Sequence, residues 1–118
     1  MQFKAIVERQ IAADRRRGFP VDFDSDVERH AQLIEDLVGL MGEIGEFANL
    51  VKKVGLRLAR PGHDGLSLKD ASDKLREELA DAIIYIIRLS AILGADLEQD
   101  LLAKMERNDT RYRSFEAH

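Results

Sequence analysis

Two short acidic motifs carry the chemistry that this sequence could perform. E-I-G-E supplies Glu43 and Glu46, and E-L-A-D supplies Glu78 and Asp81. Carboxylates three residues apart share one face of a helix, and both pairs border apolar stretches, LVGLMGEIGEF and ELADAIIYII. Burying even one unpaired carboxylate costs several kcal/mol, and a divalent cation is a physical remedy because it supplies the missing opposite charge. Four carboxylates without histidine or thiolate make a hard, all-oxygen set. Such a set suits Mg2+ or Mn2+ and suits zinc or copper poorly.

The bland alternative is a pair of ordinary acidic helix faces, with the glutamates in ion pairs to Lys52, Lys74 or Arg88. An isolated E-x-x-E carries little information. Two such pairs on the border of a core, one of them framed by glycine, favour a site. Gly39 and Gly42 lie within roughly 60° of the Glu43–Glu46 pair on a helical wheel, so they strip side chains from around it. Each glycine in a helix interior costs roughly 1 kcal/mol relative to alanine. Gly45 lies off that face. A di-iron carboxylate bundle is disfavoured because its glutamate-x-x-histidine motif is absent.

Four helices must position these groups. The chain of 118 residues is 45% hydrophobic and 34% charged, the composition of a globular domain. No stretch shows sustained strand alternation. A first helix is predicted over residues 3–17, stopping at the R-G-F-P turn. A second starts after Ser25, whose S-D-V-E context is a capping box with Glu28, and runs to about Gly55 or Leu58. The loop LARPGHDGLSLKD follows. Ser67 opens a third helix over about 69–93 that ends at Gly94, and Asp96 caps a fourth running through LEQDLLAKMERNDTRYR. The second helix carries the apolar stripe Leu33, Leu37, Leu40, Ile44, Phe47 and Val51. The third is apolar nearly all the way round at AIIYII, which points to burial at a bundle centre or in a subunit interface. The expected fold is therefore all-α, a four-helix bundle-like domain of antiparallel helices completed by oligomerisation. One domain spans 1–118, with residues 1–24 as N-terminal helix and connection and 25–115 as the metal-binding helical core.

E-I-G-E followed in the next long helix by E-L-A-D resembles the MazG-type, all-α nucleotide pyrophosphohydrolases. The match extends to Lys52 or Lys53 after the first pair and to K-M-E-R-N-D-T-R-Y near the C-terminus. There Lys104, Asn108 and Arg111 fit that family's lysine–asparagine–arginine pattern. The resemblance covers about residues 30–115. It implies that Glu43, Glu46, Glu78 and Asp81 hold Mg2+, and that Lys53 (or Lys52), Lys104, Asn108 and Arg111 approach the phosphates. It also implies cleavage of a nucleoside triphosphate, NTP or dNTP, to the monophosphate and pyrophosphate by a homodimer or homotetramer. Glu46 is assigned the general-base role, although spacing alone does not separate it from Glu43. Lys104, Asn108 and Arg111 stand at i, i+4 and i+7, so one helical face presents them together. Two other readings remain open: a phosphoribosyl-ATP pyrophosphohydrolase, and a helical interaction module without catalysis.

Several function classes are disfavoured. The net charge of −4 argues against a nucleic-acid-binding protein, and the run Arg15, Arg16, Arg17 reads as a solvated helix end or dipole partner. Without cysteine there are no thiol nucleophiles, disulfides or thiolate metal sites. The longest apolar run, Ala82 to Ile87, is too short to span a bilayer, and the N-terminus lacks a signal-type apolar region, so a cytoplasmic location is expected. His63 reads as a solvated loop residue. Phe19 and Phe23 read as packing over the bundle end rather than as stacking partners for a base.

Overall fold

Each helix after the first begins at a short polar side chain that satisfies a free backbone donor. Ser25 Oγ accepts from Glu28 N at 3.2 Å, Ser67 Oγ from Asp70 N at 3.0 Å, and Asp96 Oδ1 from Gln99 N at 3.2 Å. In the computed structural model, which describes residues 1–60, 62 and 64–116, these caps open α2 (Asp26–Ala59), α3 (Leu68–Ile92) and α4 (Leu97–Arg111). α1 (Phe3–Arg17) precedes them, and a 3-10 turn (Arg113–Phe115) follows. No strand occurs among the described residues. Gly18 (φ 76°) ends α1 and Gly94 (φ 71°) lies two residues beyond the end of α3, both left-handed. The sequence places these boundaries to within a few residues. Pro61 and His63 lie outside the described residues.

α2 and α3 form an antiparallel hairpin, the principal packing unit. Apolar clusters hold it at both ends. Near the closed end Val54 packs with Ala71 and Leu75, flanked by Phe47, Leu50 and Leu66. At the far end Ile87 and Ile92 of α3 meet Ile11 of α1 and Val21 of the α1–α2 connection. Phe23 packs against this second cluster, as expected. The middle of the hairpin is left to polar groups. α1 packs on α3 and α4 but makes no backbone contact with α2. Arg15, from the basic run, forks onto Asp22 at 2.9 Å for both hydrogen bonds and so fixes the end of α1 to the connection.

The apolar stripe expected on α2 divides in the structure. Leu33, Leu40 and Phe47 are partly buried, whereas Leu37, Ile44 and Val51 are each about half exposed. The reason is that α3 meets α2 along Asp36, Glu43, Phe47, Leu50 and Val54, leaving the other apolar positions facing away. The apolar girdle of α3 divides in the same way: Ile87 is buried, but Leu79 and Ile83 are about half exposed. α4 contributes no buried residue. The radius of gyration is 18.5 Å, well above the roughly 13–14 Å of a compact chain this long. The helices of one chain are thus all-α and bundle-like but open. No described helix is long and apolar enough to cross a membrane.

Candidate metal centre and adjoining cleft

Between the two apolar clusters, the hairpin brings three carboxylates together. Glu43 and Glu46 from α2 and Glu78 from α3 each offer one oxygen, and these oxygens lie within 4.8 Å of one another. Glu78 is 1% exposed, Glu43 is half-buried and Glu46 is exposed. With all three ionised, Glu78 Oε2 and Glu43 Oε2 are buried with no hydrogen-bond partner, and only a proton shared between the carboxyls would give them one. Among the described residues the compensating charge is one ammonium: Lys74 Nζ lies 3.1 Å from Glu78 Oε1 and 3.5 Å from Glu77 Oε2. The bland ion-pair reading is therefore right for Lys74, yet one half-exposed lysine cannot neutralise three carboxylates.

The electrostatics record this imbalance. A hydrogen bond shared with Glu78, then lost solvation and the charges of Glu78, Asp81 and Glu46, push the Glu43 carboxyl up to about 7. Glu46 is raised too, chiefly by its hydrogen bond to Glu78. Glu78 is lowered, first by its hydrogen bond with Glu43 and then by Lys74. On its own, the cluster takes up a proton far more readily than separate carboxylates would, and a cation would relieve the same repulsion. An all-oxygen donor set with an orphaned buried carboxylate oxygen fits a hard divalent ion. Asp81, half-buried one turn beyond Glu78, stands outside the three-oxygen group but raises both Glu43 and Glu46 by its charge.

A cleft of about 520 Å3 adjoins the cluster. Glu43 and Asp81 line its near end, and Asp36 and Arg88 its far end. α3 forms the floor with Tyr85 between them, and Phe19 with Gln10 borders the α1 side. Phe19 thus faces the cleft rather than merely covering the bundle end. Gly39 has a different use from the one expected. A Cβ there would strike the Tyr85 ring, with Tyr85 Oη at 2.7 Å, so this glycine makes room for a protein side chain. Around Gly42 the space is open, as the clearance reading requires; it is open around Gly45 as well.

Arg88 does not pair with the acidic cluster. Its Nε donates to Asp36 Oδ1 at 2.7 Å and its Nη2 to Asp36 Oδ2 at 3.1 Å, while Nη1 lies 3.1 Å from Asp14 Oδ2. Sequence reasoning missed Asp36 and Asp14. Asp36 was findable, since it stands seven residues before Glu43 just as Arg88 stands seven after Asp81, continuing the two stripes. Asp14 gave no such indication. The expected phosphate-binding residues are not gathered here. Lys52 and Lys53 are exposed and in no ion pair among the described residues, and neither lines the cleft. Lys104, Asn108 and Arg111 sit on α4, which makes no packing contact with α2; none of the three lines the cleft either. Arg111 instead lies over the Tyr112 ring at 5.0 Å.

Curated proteins supply a relative with a stated activity. The chain is similar to dCTP pyrophosphatase 1. It is 37% identical to the protein of Homo sapiens over 91 residues and 35% identical to that of Rattus norvegicus over 89, covering 75% of this chain and 51% of each relative. The Bos taurus protein is 36% identical over 89 residues. The chain therefore spans about half the length of the dCTP pyrophosphatase 1 sequences it matches. No protein-family model matches it, and no solved structure matches it significantly.

Proposed function

We propose that this chain is a magnesium-dependent nucleoside triphosphate pyrophosphohydrolase, releasing a nucleoside monophosphate and pyrophosphate. The observation that carries the reading is Glu78: fully buried, one oxygen without a partner, and grouped with Glu43 and Glu46 beside an open cleft. Similarity to dCTP pyrophosphatase 1 supports the reaction class and makes dCTP the first substrate to try.

Glu43, Glu46, Glu78 and Asp81 would hold Mg2+, with Mn2+ as a substitute. When bound, the cation supplies positive charge against the triphosphate and polarises a phosphoryl oxygen. Glu46, the most exposed of the three grouped carboxylates, would keep one oxygen outside the metal's coordination to orient the attacking water and accept its proton. The cleft receives the nucleoside, with Tyr85 and Phe19 offering aromatic faces to a base. Lys53 (or Lys52), Lys104, Asn108 and Arg111 are assigned to the phosphates, where arginine binds in a fork and lysine as a point charge.

The α4 trio lies away from the cleft of its own chain, so this assignment goes with a homodimer or homotetramer. The half-exposed apolar residues of α2 and α3, among them Ile34, Met41, Ile44, Leu79 and Ile83, are the surface such an assembly would cover. Removal of non-standard or excess nucleotides from the pool is a biological role consistent with this chemistry.

The test is a panel of ribo- and deoxyribonucleoside triphosphates with Mg2+ or Mn2+, assayed for pyrophosphate. Release from at least one nucleotide is expected, abolished by EDTA and by Glu46→Ala or Asp81→Ala. If no nucleotide is hydrolysed under either metal, the enzyme reading fails and a non-catalytic helical module replaces it.

A further inference from the structure

The buried ion triad at the far end of the cleft has no part in the chemistry described so far. Arg88, Asp36 and Asp14 are 6%, 4% and 2% exposed. They come from three different helices. Besides its fork onto Asp36 of α2 and its contact with Asp14 of α1, Arg88 donates from Nη2 to Pro20 O of the connection at 3.0 Å. Two carboxamides brace the acids: Gln10 Nε2 donates to Asp14 Oδ1 and Gln32 Nε2 to Asp36 Oδ2, both at 3.0 Å. Every one of these residues lines the cleft.

Topology gives the triad its meaning. α1 and α2 are the two walls, and they make no backbone contact with each other. α3 is the floor beneath both. The Arg88 guanidinium rises from the floor, forks onto Asp36 of one wall and stands in ion-pair contact with Asp14 of the other, so it holds the two acids at one separation. Buried ion groups of this kind add little net stability over apolar side chains of equal volume, and in some proteins they serve to fix one geometry. Asp36 and Arg88 each stand seven residues from a carboxylate of the acidic site, about 10 Å along their helices. That distance leaves room for a sugar and a planar base between the metal centre and the tie.

We infer that Arg88 is a positioning residue: by tying Asp14 of α1 to Asp36 of α2, it sets the width of the compartment that receives the nucleoside. This deepens the proposed activity and rests on it for its kinetic consequence. Loosening the tie should weaken nucleotide binding and leave the chemical step alone, because the acidic cluster lies about two helical turns away.

Two variants separate the tie from simple folding. Arg88→Lys keeps a charge but loses the fork. Asp14→Asn keeps the shape, leaves the Arg88–Asp36 pair intact, and removes the negative charge that faces the guanidinium. With Mg2+ and the best nucleotide of the panel, both should raise KM about tenfold with kcat within about twofold of wild type. The chain contains no cysteine, so Ala12→Cys on α1 and Ala31→Cys on α2, both exposed, give unique spin-label sites. Their distance distribution, measured after dilution with unlabelled chain, should broaden or lengthen in Asp14→Asn. An unchanged distribution overturns the tie whether or not the protein is an enzyme, and so does an unchanged KM in an active, folded Asp14→Asn protein. A wild-type protein that hydrolyses nothing refutes the proposed activity instead, and the distance measurement still decides the tie.

Discussion

Replacing Gly39 by alanine adds one methyl group to α2, and the structure says where that methyl must go. It meets the Tyr85 ring, with the hydroxyl oxygen at 2.7 Å. Alanine in place of glycine in a helix interior gains roughly 0.8–1.0 kcal/mol of helix propensity. Overpacking costs roughly 1–3 kcal/mol, and since the methyl strikes the outer part of a half-buried ring that can swing, the low end of that range applies. The two effects nearly cancel, giving a net change between about zero and 1 kcal/mol of destabilisation. Gly42→Ala and Gly45→Ala meet open space, so each should stabilise by up to about 1 kcal/mol. The gap of about 1–2 kcal/mol between Gly39→Ala and the other two corresponds to a difference of roughly 4–8 °C in melting temperature. Thermal unfolding followed by circular dichroism reads it, at fixed protein concentration and in EDTA so that neither assembly nor metal differs between samples. If Gly39→Ala stabilises as much as Gly42→Ala, Tyr85 does not lie against the α2 backbone and the shape of the cleft is wrong. The displaced ring should also raise KM, since Tyr85 forms the cleft floor.

Other outcomes follow from the same site. Because the Glu43 carboxyl is raised from 4.5 to about 7 in the folded protein, the proton it holds stabilises the metal-free fold below pH 4.5, and that stability is lost as pH rises toward 7. Melting temperature in EDTA should therefore fall between about pH 5 and 7.5, a fall that is reduced in Glu43→Gln; equal slopes in the two proteins contradict the shared proton. Saturating Mg2+ should raise the melting temperature more at pH 7.5 than at pH 5, because binding must displace that proton. Glu46→Gln should lower kcat by about 10²–10⁴-fold while leaving a folded protein, measured by pyrophosphate release; a fall below threefold removes it from the general-base role. Sedimentation should show a dimer or tetramer, and Ile83→Glu, which charges a half-exposed position of α3, should shift it toward monomer. Gly42→Ala should be more stable than wild type but less active, and full activity would mean that this glycine clears no room for a ligand.

Much of the architecture was legible from local chemistry. Ser25, Ser67 and Asp96 mark helix starts because a short side-chain oxygen satisfies a backbone donor wherever the helix begins, whatever it packs against. Glu43, Glu46 and Glu78 were legible as one group because a three-residue step puts carboxylates on one face, and two antiparallel faces must meet. The apolar stripes were less informative. Leu37, Ile44 and Val51 share the helical period of the packed residues, and periodicity reports that a face is apolar without naming what covers it. Local spacing also said nothing of Asp14, which acquires its role only when α1 crosses the floor of the cleft toward Arg88.

The sequence by itself determined the helices, their ends and the acidic character of the centre, since these depend on neighbours within a turn or two. Only the tertiary structure decided that Asp81 stands outside the three grouped carboxylates, that Gly39 yields room to Tyr85, and that Arg88 turns from the acidic cluster to Asp36 and Asp14. Those outcomes depend on the relative rotation and separation of helices distant in the chain. They are fixed by packing and desolvation, which no single helix contains.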